Sequence, residues 1–151
     1  MKKLLLPILL VAVAAAGFAQ TNAAGTWTGR IQFDRAELTK GMTGDQKKAV
    51  EQQLAEAGKL TISLTLRPNN TFTLSFNPPA GMAGAQKMTV EGKWLQKGTT
   101  VTLTATRQNG KAVPAKDQQP QTMTVASGGK TMRWSQGKDP RQGTIVFTRQ
   151  K

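Results

Sequence analysis

Between Leu60 and Phe76 the chain reads LTISLTLRPNNTFTLSF, with apolar and polar side chains alternating on both sides of Pro68-Asn69-Asn70. A period of two places successive side chains on opposite faces of a strand, so both halves read as strands. Proline presets the first position of a turn, and asparagine tolerates the left-handed backbone of a tight reversal, so the two strands fold back as a hairpin. Leu60, Ile62, Leu64, Leu66, Phe72, Leu74 and Phe76 then share one face. An isolated hairpin is marginal in water, and an apolar face of this extent calls for further strands to cover it.

The rest of the chain supplies them. Alternation predicts strands over 26–33, with Trp27, Ile31 and Phe33 inward, over 88–95, with Met88, Val90 and Trp94 inward, and over 99–106, with Val101, Leu103 and Ala105 inward. Met123 and Val125 mark a strand over 122–126, Met132 and Trp134 the next, and Ile145 and Phe147 the last, over 144–149. Gly29 and Gly92 fall on inward positions, where a missing side chain lets a sheet bend sharply or two backbones approach. The only helical pattern runs from Thr43 to Gly58. Thr43 and Gln46 read as a capping box, Gly58 as the C-terminal cap, and Val50, Leu54 and Ala57 as a narrow apolar stripe. Asn109-Gly110 carries the signal for a small extra hairpin inside the 107–121 connection.

Residues 1–19, MKKLLLPILLVAVAAAGFA, combine a basic start, an apolar run and small residues at the end, which is the pattern of a cleaved secretory leader. The mature chain is expected from Gln20 as one domain over 20–151. With no cysteine there is neither lipid attachment to a cysteine nor a disulfide, so the expected location is the periplasm or the outside of the cell, with no stable membrane insertion after cleavage. Removal of Lys2 and Lys3 with the leader leaves 19 basic against 8 acidic groups. A basic exported surface favours an anionic envelope component as a partner, or serves solubility alone.

Eight short alternating strands predict an all-β, eight-stranded antiparallel up-and-down barrel with one short helix between the first two strands; a two-layer sandwich is the other arrangement open to them. If neighbours pair in order, the tight turns at 68–70, 96–98 and 127–129 gather at one end. The long connections at 34–59, 77–87, 107–121 and 136–143 then gather at the other. Loops carried on a rigid scaffold are where binding usually resides. Both termini meet at the sealed end, which brings Trp27 beside Arg149. At this point the chain resembles the calycin superfamily of lipocalins, fatty-acid-binding proteins and bacterial lipocalin-like barrels. Gly25-Thr26-Trp27 looks like their Gly-x-Trp on the first strand, and Arg149 like the cation that packs on it from the last. The helical segment after the first strand is similar to the lid of fatty-acid-binding proteins.

The resemblance implies a small apolar or amphipathic ligand, such as a lipid, held inside the barrel, although small barrels are often filled by their own side chains. At the open end Met42 and Met82, each within a Gly-Met-x-Gly stretch, and Leu54 on the lid offer apolar contacts. Arg107, Lys111, Lys116, Lys138 and Arg141 are placed to ring the mouth and attract an anionic head. The alternative is a protein-interaction or inhibitor module acting through the same loops. Catalysis has little support, because histidine and cysteine are absent, and no cofactor or metal is expected. Specific nucleic-acid binding by stacking is not expected, since Trp27, Trp94 and Trp134 all fall on inward faces.

Overall fold

The computed structural model describes residues 22–81, 84–135, 137, 139 and 142–151. The expected leader and its cleavage point lie outside these residues, as do Met82, Lys138 and Arg141. The strands are β1 (Gly25–Gln32), β2 (Thr61–Leu66), β3 (Thr71–Asn77), β4 (Met88–Lys97), β5 (Thr100–Gln108), β6 (Lys111–Ala112), β7 (Pro120–Val125), β8 (Thr131–Ser135) and β9 (Thr144–Arg149). Helices α1 (Arg35–Leu38) and α2 (Gly44–Gly58) separate β1 from β2, and a single 3₁₀ turn covers Ala115–Asp117.

Each long strand pairs antiparallel with its neighbour, β9 returns to β1, and β4 pairs with β5, so that eight strands close a barrel. The two-residue β6 pairs only with the outer end of β5, through Arg107 opposite Ala112 and Gln108 opposite Lys111. It is the extra hairpin that Asn109-Gly110 announced, with Asn109 at φ 48 as a tight reversal requires. The Pro68-Asn69-Asn70 turn likewise places Asn70 at φ 64 and sets Ile62 opposite Phe76, Leu64 opposite Leu74 and Leu66 opposite Phe72. Tight turns gather at one pole and the long connections at the other, as the loop lengths required.

The core holds apolar residues only, and no buried side-chain nitrogen or oxygen among the described residues lacks a partner. Trp27, Ile62, Leu64 and Phe147 are fully buried. The two inward glycines make the corners. Gly29 faces Phe147 across β1 and β9, and Gly92 faces Phe72 across β3 and β4, so that an aromatic ring lies over each bare backbone. At Gly92 the fit is tightest: an added Cβ would stand 2.0 Å from the Thr104 carbonyl oxygen and 2.9 Å from the Phe72 ring. There the register slips, because Glu91 faces Arg107 while Gly92 faces Ala105, leaving Thr106 as an extra residue on β5. A bulge of this kind bends the strand and raises its twist, which an eight-stranded sheet needs in order to close.

The helical segment departs from its expected caps. Thr43 makes no side-chain cap, because the Gln46 N–H bonds the Thr43 carbonyl at 3.2 Å and leaves the hydroxyl without that donor. Gly58 is the last helical residue rather than the cap; Lys59 follows in a right-handed conformation. The sequence reading also passed over α1, where Asp34 caps the helix by accepting from the Glu37 N–H at 3.1 Å. The stripe of Val50, Leu54 and Ala57 is half-buried, no residue of α2 is fully buried, and the helix packs beside β1.

These contacts separate three glycine substitutions. Gly92→Ala forces a methyl group against a backbone carbonyl fixed in the sheet, and we expect it to cost about 3 kcal/mol, the upper part of the range for overpacking. Gly29→Ala meets the Phe147 ring at 2.6 Å, which can tilt, and should cost less. Gly58→Ala meets nothing within 4 Å and should leave stability unchanged or raise it slightly. Urea denaturation followed by tryptophan fluorescence checks the order.

Candidate functional site

The sealed pole is built around Arg149. Register sets it opposite Trp27, and its guanidinium carbon lies 4.9 Å from the centre of the indole ring. Its Nη2 donates to the carbonyls of Asn22 and Ala24, and the Trp27 indole N–H donates to the Ala23 carbonyl at 3.0 Å. Three successive carbonyls are thereby held by two side chains. From the other direction, the Ala23 N–H donates to Gln96 Oε1 at 2.9 Å, so residues 22–24 reach from the β1–β9 pair to the end of β4. Ala23 is fully buried and closes the floor. Gly25 begins β1 at φ 143; a side chain there would meet the guanidinium at an ordinary 3.5 Å, so the backbone conformation rather than crowding calls for glycine. Trp94 fastens the neighbouring turn, its indole donating to the Arg67 carbonyl at 2.9 Å.

Toward the other pole the packing loosens into a cavity of 280 Å³. Its wall comes from one side of the barrel: Phe72, Leu74 and Phe76 on β3, Met88 and Val90 on β4, Leu103 and Ala105 on β5, and Trp134 on β8. Gln119 and Gln121, at the entrance to β7, are the polar residues in this lining, and none of the lining residues is charged. Ala105 is the small residue opposite Gly92, so the inner wall is thin where the bulge falls. Ligand pockets usually begin at about 300 Å³, which puts this cavity at the small end of that class.

The connection above the cavity is fixed by its own polar groups. Asn109 bonds Thr89 in both directions, its N–H donating at 2.8 Å and its Oδ1 accepting at 2.9 Å. Arg107 donates to the Gly110 carbonyl at 3.2 Å, and Gln118 to the Val113 carbonyl at 2.9 Å. Gln108 donates to the Met88 sulfur at 3.4 Å, tying the loop to the cavity wall.

Of the residues expected at the mouth, Arg107 lies near the end of β5, Lys111 on β6 and Lys116 in the 3₁₀ turn, all exposed, and none lines the cavity. Met42 lies between α1 and α2 at 37% exposure, and Leu54 is half-buried on α2; neither lines the cavity. The glutamines were missed because both stand in a stretch read as loop, although Gln121, two residues before inward Met123, already carries the strand's period. No cluster of acidic residues that could hold a metal ion occurs among the described residues. Comparison with family models, curated proteins and solved structures finds no match to this chain.

Replacing Arg149 with methionine keeps an alkyl stem against Trp27 but removes the donor that holds Asn22 and Ala24. We expect a loss of about 2 kcal/mol, the size of a hydrogen bond to a charged group, measured by urea denaturation. Arg149→Lys should recover only part of it, because an ammonium lacks the planar face that stacks on an indole.

Proposed function

We propose that the protein is an exported binding protein of calycin type that takes a small apolar molecule into the open half of its barrel. The apolar cavity carries this reading. Its aromatic and aliphatic wall has two carboxamides at one side, the composition of a pocket that grips by shape and orients through one or two hydrogen bonds. The lining contains no cation, so the part of the ligand that enters is uncharged, with a carbonyl or hydroxyl for Gln119 and Gln121 to meet. An anionic head, if the ligand has one, stays outside near Arg107, Lys111 and Lys116. The Gly25-Thr26-Trp27 and Arg149 arrangement supports the calycin reading, and the 1–19 segment supports export.

Native mass spectrometry of gently purified protein should show a bound small molecule, and an apolar fluorescent dye should be taken up and displaced by it. Ala105→Phe and Val90→Phe fill the cavity from two strands, and each should reduce dye uptake at least tenfold in folded protein. Lys111→Gln should leave uptake of an uncharged dye unchanged, since Lys111 lies outside the lining. Uptake undiminished in both filled variants would overturn the proposal, and an empty protein that captures a partner polypeptide would favour the loop-mediated interaction module.

A further inference from the structure

The basic side chains of this barrel lie at both ends, but its acidic side chains gather toward one. Its eight carboxylates are Asp34, Glu37, Asp45, Glu51, Glu56, Glu91, Asp117 and Asp139. Five lie in the connection between β1 and β2, Asp117 and Asp139 lie in the other open-end connections, and Glu91 sits on β4 opposite Arg107, in the half toward the mouth. No carboxylate side chain falls at the sealed pole. That pole carries Arg67 on the β2–β3 turn, Lys93 and Lys97 toward the end of β4, Lys130 on the β7–β8 turn and Lys151 at the C-terminus, all exposed. The ion pairs found among the described residues, Lys40 with Glu37 and Lys59 with Glu56, both lie between β1 and β2.

Hydrogen bonds join the segments that carry these cations. The Arg149 N–H bonds the Lys130 carbonyl at 2.9 Å, the Val125 N–H bonds the Thr99 carbonyl at 2.7 Å and so joins the β7–β8 end to the β4–β5 turn, and Trp94 reaches Arg67. Between Lys93 and Lys97, on the same outer face of β4, stands Leu95 at 50% exposure, the most exposed large apolar side chain among the described residues. Beside it a recess of 390 Å³ is lined by Asn22, Asn70, Trp94, Leu95 and Gln96.

We infer that the sealed pole is a docking surface for an anionic lipid bilayer. Five basic side chains with no acidic side chain among them, against the single C-terminal carboxylate of Lys151, match the negative potential of such a surface, each contributing a similar increment of attraction. An exposed leucine flanked by two lysines fits the boundary between headgroups and acyl chains, where a cation stays wet while an apolar neighbour leaves water. A nucleic acid is a poorer match: Trp27 and Trp94 are buried, and among the described residues of this pole no exposed aromatic ring is offered for stacking. The chain enters at this same pole, where only Gln20 and Thr21 separate the expected cut from Asn22. Docked this way, the barrel turns its mouth to the aqueous side, so a ligand would exchange with water or with another protein rather than directly with the bilayer beneath.

The test is co-sedimentation of the protein, purified after expression of the full chain with export, with vesicles of phosphatidylcholine and phosphatidylglycerol in equal parts. Binding should fall with added salt, and Lys93→Gln, Lys97→Gln and Lys130→Gln should each weaken it roughly fivefold. Lys111→Gln and Lys116→Gln at the mouth should leave it unchanged. Leu95→Ser should weaken vesicle binding without changing retention on a single-stranded oligonucleotide. Equal binding to pure phosphatidylcholine, or equal loss in the mouth variants and the pole variants, would overturn the inference. Retention on the oligonucleotide that exceeds vesicle binding and ignores Leu95 would also overturn it, in favour of a soluble polyanion. Dye uptake in the pole variants reports on the cavity separately, so the two proposals fail independently.

Discussion

A single guanidinium holds the bottom of this barrel together. Arg149 stacks on Trp27 and binds two carbonyls of the segment that crosses the floor, while Trp27 binds the carbonyl between them. Carbonyls left without donors cost more the deeper they are buried, and residues 22–24, which lie across the floor, have no secondary structure of their own to satisfy them. Arg149 and Trp27 provide those donors and let Ala23 serve as the plug. Closure of the sheet and sealing of the interior thus depend on the same cross-strand pair, since the register that sets Trp27 opposite Arg149 also joins the last strand to the first.

With the floor sealed, the interior fills from that end. Trp27, Leu66, Val101 and Phe147 are all buried there or in the middle of the barrel. The corners impose a second constraint. Phe72 leans over Gly92 and Phe147 over Gly29, so each aromatic ring occupies the space that a Cβ would have taken on the neighbouring strand. The bulge at Thr106 follows from the close approach of β4 and β5, and around it the wall sets Ala105, Val90 and two glutamines among the larger apolar side chains of Phe72, Phe76, Met88 and Trp134. The cavity is the space left among these side chains.

Charge is arranged around this scaffold without entering it. The carboxylates belong to the open-end connections and to the upper part of β4, where Asp34 caps α1 and Glu37 and Glu56 pair with lysines along their helical segments. The turns at the other pole are short and contain no acidic side chain, so basic side chains outnumber the one C-terminal carboxylate there. Two poles of different character result: an apolar recess under neutral carboxamides at one, and a basic surface around an exposed leucine at the other.

Much of this was legible in the residues. Alternation from Leu60 to Phe76 declared a hairpin with one apolar face, Gly29 and Gly92 marked the corners, and the sorting of short turns and long connections fixed an up-and-down order that placed Trp27 beside Arg149. Strand period and turn chemistry are local, so a linear reading finds them. The helix caps were misread because a capping box depends on where a donor points, and Gln46 points at a carbonyl rather than at the Thr43 hydroxyl. The plug and the cavity required the closed barrel. Ala23 carries no pattern that announces a floor, and its bond to Gln96 spans 73 positions. Whether an apolar interior is filled or hollow depends on side chains from five strands meeting in space, and that summation exists only after the sheet has closed.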